Sequence, residues 1–235
     1  MKRFVAFLLA AAMVFAMAGC TDADKKGEGV MTYAQYAAAE LNAEVVVETY
    51  VQATQSWWDN KITVYTQDKE GGYFLYSMAC SEADAKKLVP GTKIRVKGFK
   101  SEWAGEVEIT DATFEILSGN YVAKAEDVTK LLGTDDLIKK QNILAAFKGL
   151  EIVAYDNTGA AFAYKNAEEK TDDLYFKASY NGKVYDFCVE FYLTGKDTAV
   201  YKAVEGLKVG DKVDIEGFLY WYNGSDPHVT SLKVK

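Results

Sequence analysis

Leu88-Val89-Pro90-Gly91-Thr92-Lys93-Ile94-Arg95-Val96-Lys97-Gly98-Phe99 aligns without gaps on Leu207-Lys208-Val209-Gly210-Asp211-Lys212-Val213-Asp214-Ile215-Glu216-Gly217-Phe218, 119 residues further along the chain. In the first copy Ile94 and Val96 alternate with Lys93, Arg95 and Lys97, the period of a β-strand with one buried face. Each copy runs through an aromatic, Gly-containing turn into a second strand. In the first, Trp103-Ala104-Gly105 leads into Glu106-Val107-Glu108-Ile109-Thr110; in the second, Tyr222-Asn223-Gly224 leads towards His228-Val229-Thr230. Asn-Gly between two such strands is a tight-turn signal. One repeat at this long spacing reads as a duplicated domain, because solenoid repeats are far shorter.

The flanking sequence completes each unit. In the first half Thr32-Tyr33-Ala34-Gln35 is a capping-box pattern opening a short Ala-rich helix. Strands are predicted over 44–53, 62–67 and 73–78, with a turn at Asp68-Lys69-Glu70-Gly71-Gly72 between the last two. Ser81-Glu82-Ala83-Asp84 caps a helix that reaches Leu88, and the repeated strand pair closes the unit. In the second half a helix opens at Thr134-Asp135-Asp136. Strands are predicted over 151–155, 160–164, 174–180 and 183–192, followed by a helix over 197–205 and the second copy of the pair. Both halves carry strands, a helix, then two strands.

That order is the order of the OB-fold. The segment from Ile62 to Tyr76 resembles the second-and-third-strand hairpin of bacterial OB-fold domains. The segment from Leu88 to Ile109 is similar to their Gly-x-x-Val-x-Val-x-Gly fourth strand, following loop and fifth strand. In the second half the likeness is good from Leu207 to Val234 and looser before it, where Asn166-Ala167-Glu168-Glu169-Lys170 reads as an insertion. The expected fold is therefore mostly β: two tandem five-stranded OB-like barrels, over 31–119 and 120–235. Each has a short helix before strand 1 and a helix between strands 3 and 4.

The N-terminus points to a location. Lys2 and Arg3 precede an apolar run over 4–18 that is too short for a comfortable membrane span, and Ala16-Met17-Ala18-Gly19-Cys20 ends in small residues before a cysteine. This resembles the lipobox of bacterial lipoproteins, and the whole chain resembles the tandem OB-fold lipoproteins of bacterial envelopes. The resemblance implies export, a signal peptide over 1–19, a lipid on Cys20 and extracytoplasmic attachment to a bacterial membrane. Two or three acyl chains hold a soluble domain on a bilayer, where one does not. The polar segment 20–30 reads as a flexible tether.

The 235 residues carry 27 Lys and Arg against 34 Asp and Glu, a net charge of −7; without Lys2 and Arg3, 25 basic residues face 34 acidic ones, a net charge of −9. Such a surface disfavours sequence-independent binding of polyanions. Beyond Cys20 only Cys80 and Cys188 remain, without Cys-x-x-Cys spacing or a neighbouring histidine, so no zinc site is expected. An exported location allows them to bridge, and two separate buried thiols fit equally well.

OB-folds bind on the face of strands 2 and 3, between the loops joining strands 1–2 and 4–5. Here these loops carry Trp57 and Trp58, and Trp103. The expectation is that they rise on one edge as an aromatic cleft flanked by Tyr65, Tyr73 and Tyr76, able to stack bases or sugar rings. The competing reading is that indoles plug a barrel end, since tryptophan is highly buried on average. Arg95, with Lys93 and Lys97, contacts an anion on one reading and forms an ordinary solvated strand face on the other. The corresponding positions of the second copy have mostly reversed sign, which favours the solvated face. Asp68 and Glu70 miss the spacing of a calcium loop.

No nucleophile elbow, phosphate loop, His-Glu-x-x-His or Ser-x-x-Lys occurs, and His228 is the sole histidine. The sequence thus leads to a non-catalytic, cofactor-free, lipid-anchored binding protein whose aromatic cleft takes an oligosaccharide or other oligomer, or a protein partner. The alternatives are a structural or assembly module of an envelope complex, and a binder of single-stranded nucleic acid on the same aromatic face, which the charge opposes.

Overall fold

The computed structural model describes residues 26–235, so the expected signal peptide over 1–19 and the expected lipid site at Cys20 lie outside the described residues. The capping box forms as expected. Thr32 caps α1 (Tyr33–Ala38), with Gln35 N donating to Thr32 Oγ1 and Thr32 N donating to Gln35 Oε1. Then follow β1 (Glu44–Thr54), β2 (Lys61–Gln67), β3 (Gly72–Ala79), α2 (Glu82–Ala85), β4 (Thr92–Trp103) and β5 (Glu106–Asn120). These five strands close a barrel in the order β1-β2-β3-β5-β4, with β4 returning to β1. β3 and β5 run parallel and every other neighbouring pair is antiparallel. The inward set, including Val45, Val47, Val64, Leu75, Ile94, Val96 and Ile109, fills the interior.

The second half contains β6 (Glu126–Asp127), β7 (Leu144–Val153), β8 (Phe162–Asn166), β9 (Thr171–Tyr180), β10 (Lys183–Val189), α3 (Phe191–Thr194), α4 (Ala199–Glu205), β11 (Lys212–Phe218) and β12 (His228–Val234). Strand β7 pairs with both β11 and β9, so β7-β9-β10-β12-β11 closes a second barrel with the strand order of the first. β6 and β8 are additional strands outside the closed five. Phe147, Leu150, Ile152, Phe176, Phe187 and Ile215 sit in its core. The tandem OB-like architecture read from the repeat is the architecture of the molecule.

Local departures have local causes. The helix expected from Thr134 is a 3-10 turn, Leu137–Lys140, whose N-terminal Asp136 makes no side-chain cap. β7 starts at Leu144, ahead of the predicted strand, because Ala145 and Phe147, two residues apart, already pack into the core there. The strand predicted to reach Tyr192 stops at Val189. Glu190 caps α3 instead, accepting from Leu193 N at 2.6 Å. Residues 26–30, which the sequence reads as tether, and Met31, where the first domain is expected to begin, are fastened to the first barrel. Lys26 Nζ lies 2.9 Å from Asp68 Oδ2, and Met31 N donates to Val46 O at 2.8 Å.

The two barrels share a third apolar cluster of Tyr65, Phe74 and Phe218, joined by Ala53, Leu144, Leu193 and Tyr220. Tyr65 stacks on Phe218 at 4.6 Å, and Tyr220 stacks on His228 at 4.1 Å. Backbone groups are paired across the contact: Leu144 N donates to Gln67 Oε1 at 2.7 Å, Asn142 Nδ2 to Val107 O at 2.9 Å, and Asn223 N to Ala104 O at 2.7 Å. At Gly72 a Cβ would overlap the Asn142 carbonyl. The outer face of β2 and β3 is therefore covered by the second barrel around Tyr65 and Phe74, while Tyr76 on the same face stays exposed.

Candidate binding cleft

The loop joining β1 and β2 is built by two contacts. Trp57 is held partly buried against the first core, its Nε1 donating to Cys80 O at 2.8 Å. Beyond it, Trp58 and Lys61 exchange backbone hydrogen bonds at 3.0 and 2.9 Å around Asp59 and Asn60, whose φ angles are 48° and 58°. Two successive left-handed residues define a type I′ turn, and Asp and Asn tolerate that conformation well. Trp58 stands at its corner, 80% exposed. On β3 the ladder breaks opposite Ile62 and Val64. Ser77 adopts φ 50° and donates through its N to Thr63 Oγ1 at 3.1 Å. Such an irregularity re-aims side chains, and Tyr76 beside it is 51% exposed.

The opposite wall comes from the second barrel. Ser56 N donates to Tyr192 O at 2.8 Å, and Tyr192, on the Glu190-capped α3, is 56% exposed. Trp57, Trp58, Tyr76, Tyr192, Lys61 and Thr63 line a cleft of 640 Å3, within the range of small-molecule sites. A second hollow of 810 Å3 adjoins it, sharing the 55–57 segment, Ile62 and Tyr192. The charged residues bordering the two are Asp59, Glu82 and Asp197 against Lys61, Lys86 and Lys196. The charge is balanced, and Glu82 is already paired with Lys86 at 2.8 Å.

Of the aromatic residues expected to converge, the fold brings some together and separates others. Trp57, Trp58 and Tyr76 meet. Trp103 does not join them, because the register puts its loop at the other end of the hairpin: Lys61 pairs with Ala79, whereas Glu108 pairs with Phe74 near the start of β3. The strand between those ends is about 23 Å long at ~3.3 Å per residue. Tyr65 is buried in the contact between barrels, where its Oη lies 2.6 Å from His228 Nδ1. Tyr73 is in the first core, its hydroxyl donating to Asp68 Oδ2 at 3.1 Å, and burial raises its pKa far above the ordinary phenol value. Neither ring can stack on a ligand here.

Arg95 belongs to an ion-pair ladder along β1 and β4. Its Nη2 and the Lys93 ammonium both reach buried Glu48, at 2.8 and 2.9 Å, and Lys97 pairs with Glu44 at 3.0 Å. Burial opposes ionisation of Glu48, but the hydrogen bonds from Lys93 and Arg95 outweigh it and lower its pKa. The basic strip is largely neutralised by its neighbour strand. Asp68 is used by its own turn, accepting from Glu70 N and Gly71 N at 2.7 and 2.9 Å. Cys80 and Cys188 are separate buried thiols. Among the described residues no group of three or more His, Cys, Asp or Glu is arranged to hold a metal ion.

Sequence reasoning missed Tyr192. It was legible only as the end of a strand, and nothing local signalled that the second barrel would bring it to Trp58.

No family model matches the chain, and no curated protein matches it. Solved structures similar to it include the HINa domain of Ifi202 in complex with a 20 bp double-stranded DNA, 12% identical over 82% of this chain and 99% of that one, TM-score 0.36. A murine DNA-binding protein bound with double-stranded DNA is 11% identical over 80% of this chain and 94% of that one, TM-score 0.35. A replication protein A heterotrimer bound to single-stranded DNA is 10% identical over 83% of this chain and 49% of that one, TM-score 0.32. Likeness at this level adds nothing to the fold read from strand order and carries no ligand across.

Proposed function

We propose that the protein is a non-catalytic binding protein, lipid-anchored through Cys20 on the outer side of a bacterial membrane, that holds a neutral ring-bearing oligomer such as an oligosaccharide. The observation that carries this reading is the convergence of Trp58, Tyr76 and Tyr192, all well exposed, on one cleft of balanced charge between two barrels. Aromatic faces gain from stacking on sugar rings through apolar contact, and a polyanion gains little where each bordering cation has an acidic counterpart. Single-stranded nucleic acid on the same rings is the rival reading. It draws on the capacity of the same exposed rings to stack bases and is opposed by the net charge of −7.

Intrinsic tryptophan fluorescence, titrated with neutral oligosaccharides and with single- and double-stranded oligonucleotides at two salt concentrations, tests it. The expected result is a saturable shift with a glycan, insensitive to salt and lost in Trp58→Ala. Binding of an oligonucleotide that weakens steeply with salt would replace the glycan reading by the nucleic-acid one. A spectrum that no ligand alters would leave the assembly-module reading in its place.

A further inference from the structure

A second exposed aromatic pair lies at the opposite end of the molecule from the cleft. Trp103 is 63% exposed and Tyr222 56%. They sit in the two corresponding loops of the repeated strand pair, which touch: Asn223 N donates to Ala104 O at 2.7 Å, and a Cβ on Gly105 would come within 2.8 Å of the Trp221 ring. The register locates both. Gln67 pairs with Gly72 and Phe74 with Glu108, so the β4–β5 turn lies beside the β2–β3 turn.

The chain enters the fold at that same end. Lys26 Nζ is 2.9 Å from Asp68 Oδ2 and 3.6 Å from Glu70 Oε2, both in the β2–β3 turn. Only five residues, 21–25, separate Lys26 from Cys20, a reach of roughly 20 Å at most. A bilayer attached at Cys20 therefore lies close to the end that carries Trp103 and Tyr222. Tryptophan and tyrosine settle at the headgroup layer, where an amphipathic ring meets both water and hydrocarbon. Glu70 and Glu102 at this end suit a zwitterionic surface better than an anionic one. A contact too weak to recruit a free protein suffices for a tethered one, because the tether supplies a high effective concentration.

We propose that Trp103 and Tyr222 rest on the membrane to which Cys20 is anchored and so hold the Trp58–Tyr76–Tyr192 cleft outward. The proposal rests on the anchor reading, and its test separates the two. Protein beginning at Cys20 is coupled through that thiol to a maleimide phospholipid in phosphatidylcholine vesicles, with and without lipids brominated near the headgroup. Trp57→Phe, Trp58→Phe and Trp221→Phe together leave Trp103 as the reporter; Trp57→Phe, Trp103→Phe and Trp221→Phe leave Trp58. Bromine is expected to quench Trp103 about twofold and leave Trp58 unchanged. Uncoupled protein is expected to show no quenching. In the otherwise unchanged chain, Trp103→Ala is expected to abolish the vesicle-dependent part of the emission change, which keeps the test readable if a triple variant folds poorly. Unquenched Trp103, or quenching of Trp58 instead, overturns the docking. Protein recovered from cells with Cys20 unmodified overturns the anchor reading, and with it docking in the cell, whatever the vesicles show.

Discussion

Tyr65 and His228, 163 residues apart in the chain, are 2.6 Å from each other, Oη to Nδ1, at the centre of the contact between the two barrels. Gln55 Nε2 donates to the same hydroxyl at 3.2 Å, which leaves the phenol proton for His228 Nδ1 and the imidazole proton on Nε2. Tyr220 stacks on the ring and burial lowers the histidine pKa to about 3. The pair is neutral on both sides, a hydrogen bond rather than an ion pair.

Its pH dependence follows. The folded value of about 3 lies below the unfolded value of 6.5, so the unfolded chain binds the extra proton between them. The stability this histidine contributes is complete above pH 6.5 and lost as pH falls towards 3. Tyr65→Phe leaves Nδ1 buried without a donor and is expected to cost about 1–3 kcal/mol at pH 7 in urea denaturation. An unchanged midpoint would show that the hydrogen bond contributes nothing.

Glu106 acts in the other direction. It is fully buried and its Oε2 accepts from Trp221 N at 2.9 Å; that N–H and the nearby Asn142 side chain favour the charged form without offsetting the burial. Burial pushes its pKa up to about 9, with Glu108 adding to the rise. Here the folded value exceeds the unfolded 4.5, so the stabilising contribution is complete below 4.5 and lost as pH rises through 9. Glu106→Gln is expected to flatten the fall in Tm between pH 7 and 9.5. Parallel pH profiles for the variant and the parent protein would refute this.

Gly72 tests whether the barrels form one cooperative unit. Its φ is not left-handed, so alanine is disfavoured there only by overlap with the Asn142 carbonyl across the contact. Gly72→Ala is expected to cost about 1–3 kcal/mol and to split a single calorimetric transition into two. One unshifted transition would mean that the contact adds little to folding.

The cleft makes an inter-barrel prediction. If Trp58 and Tyr192 hold one ligand, removing either ring is expected to weaken binding by about 1–3 kcal/mol, or roughly 5- to 150-fold. Trp103→Ala and Tyr73→Phe are expected to leave the affinity unchanged. Isothermal titration with whichever oligosaccharide binds distinguishes this from a site on the first barrel alone, for which Tyr192→Ala would be silent.

Strand β2 explains what was legible and what was not. Ile62 and Val64 alternate with Thr63 and Tyr65, a pattern that announces one buried face and one free one. In the fold all the residues of β2 after Lys61 are buried, because a second barrel covers the face that the alternation leaves open. Tyr65 thus looked like a ligand contact and is an interface residue. Tyr76, on the same outer face but beyond the covered area, stays exposed as the sequence suggested.

The sequence by itself determined the two barrels, since strand period, turn residues and helix caps are local and are repeated at Leu88 and at Leu207. It also determined the aromatic content of the loops and the acidic balance. Only tertiary structure decided where those loops end up. The parallel register of β3 and β5 sends Trp103 to the far end from Trp58, and the docking of the barrels buries Tyr65 on His228 and brings Tyr192 to the cleft. These outcomes depend on contacts between residues far apart in the chain, 163 positions for Tyr65 and His228 and 136 for Ser56 and Tyr192, formed by surface complementarity that no local period encodes.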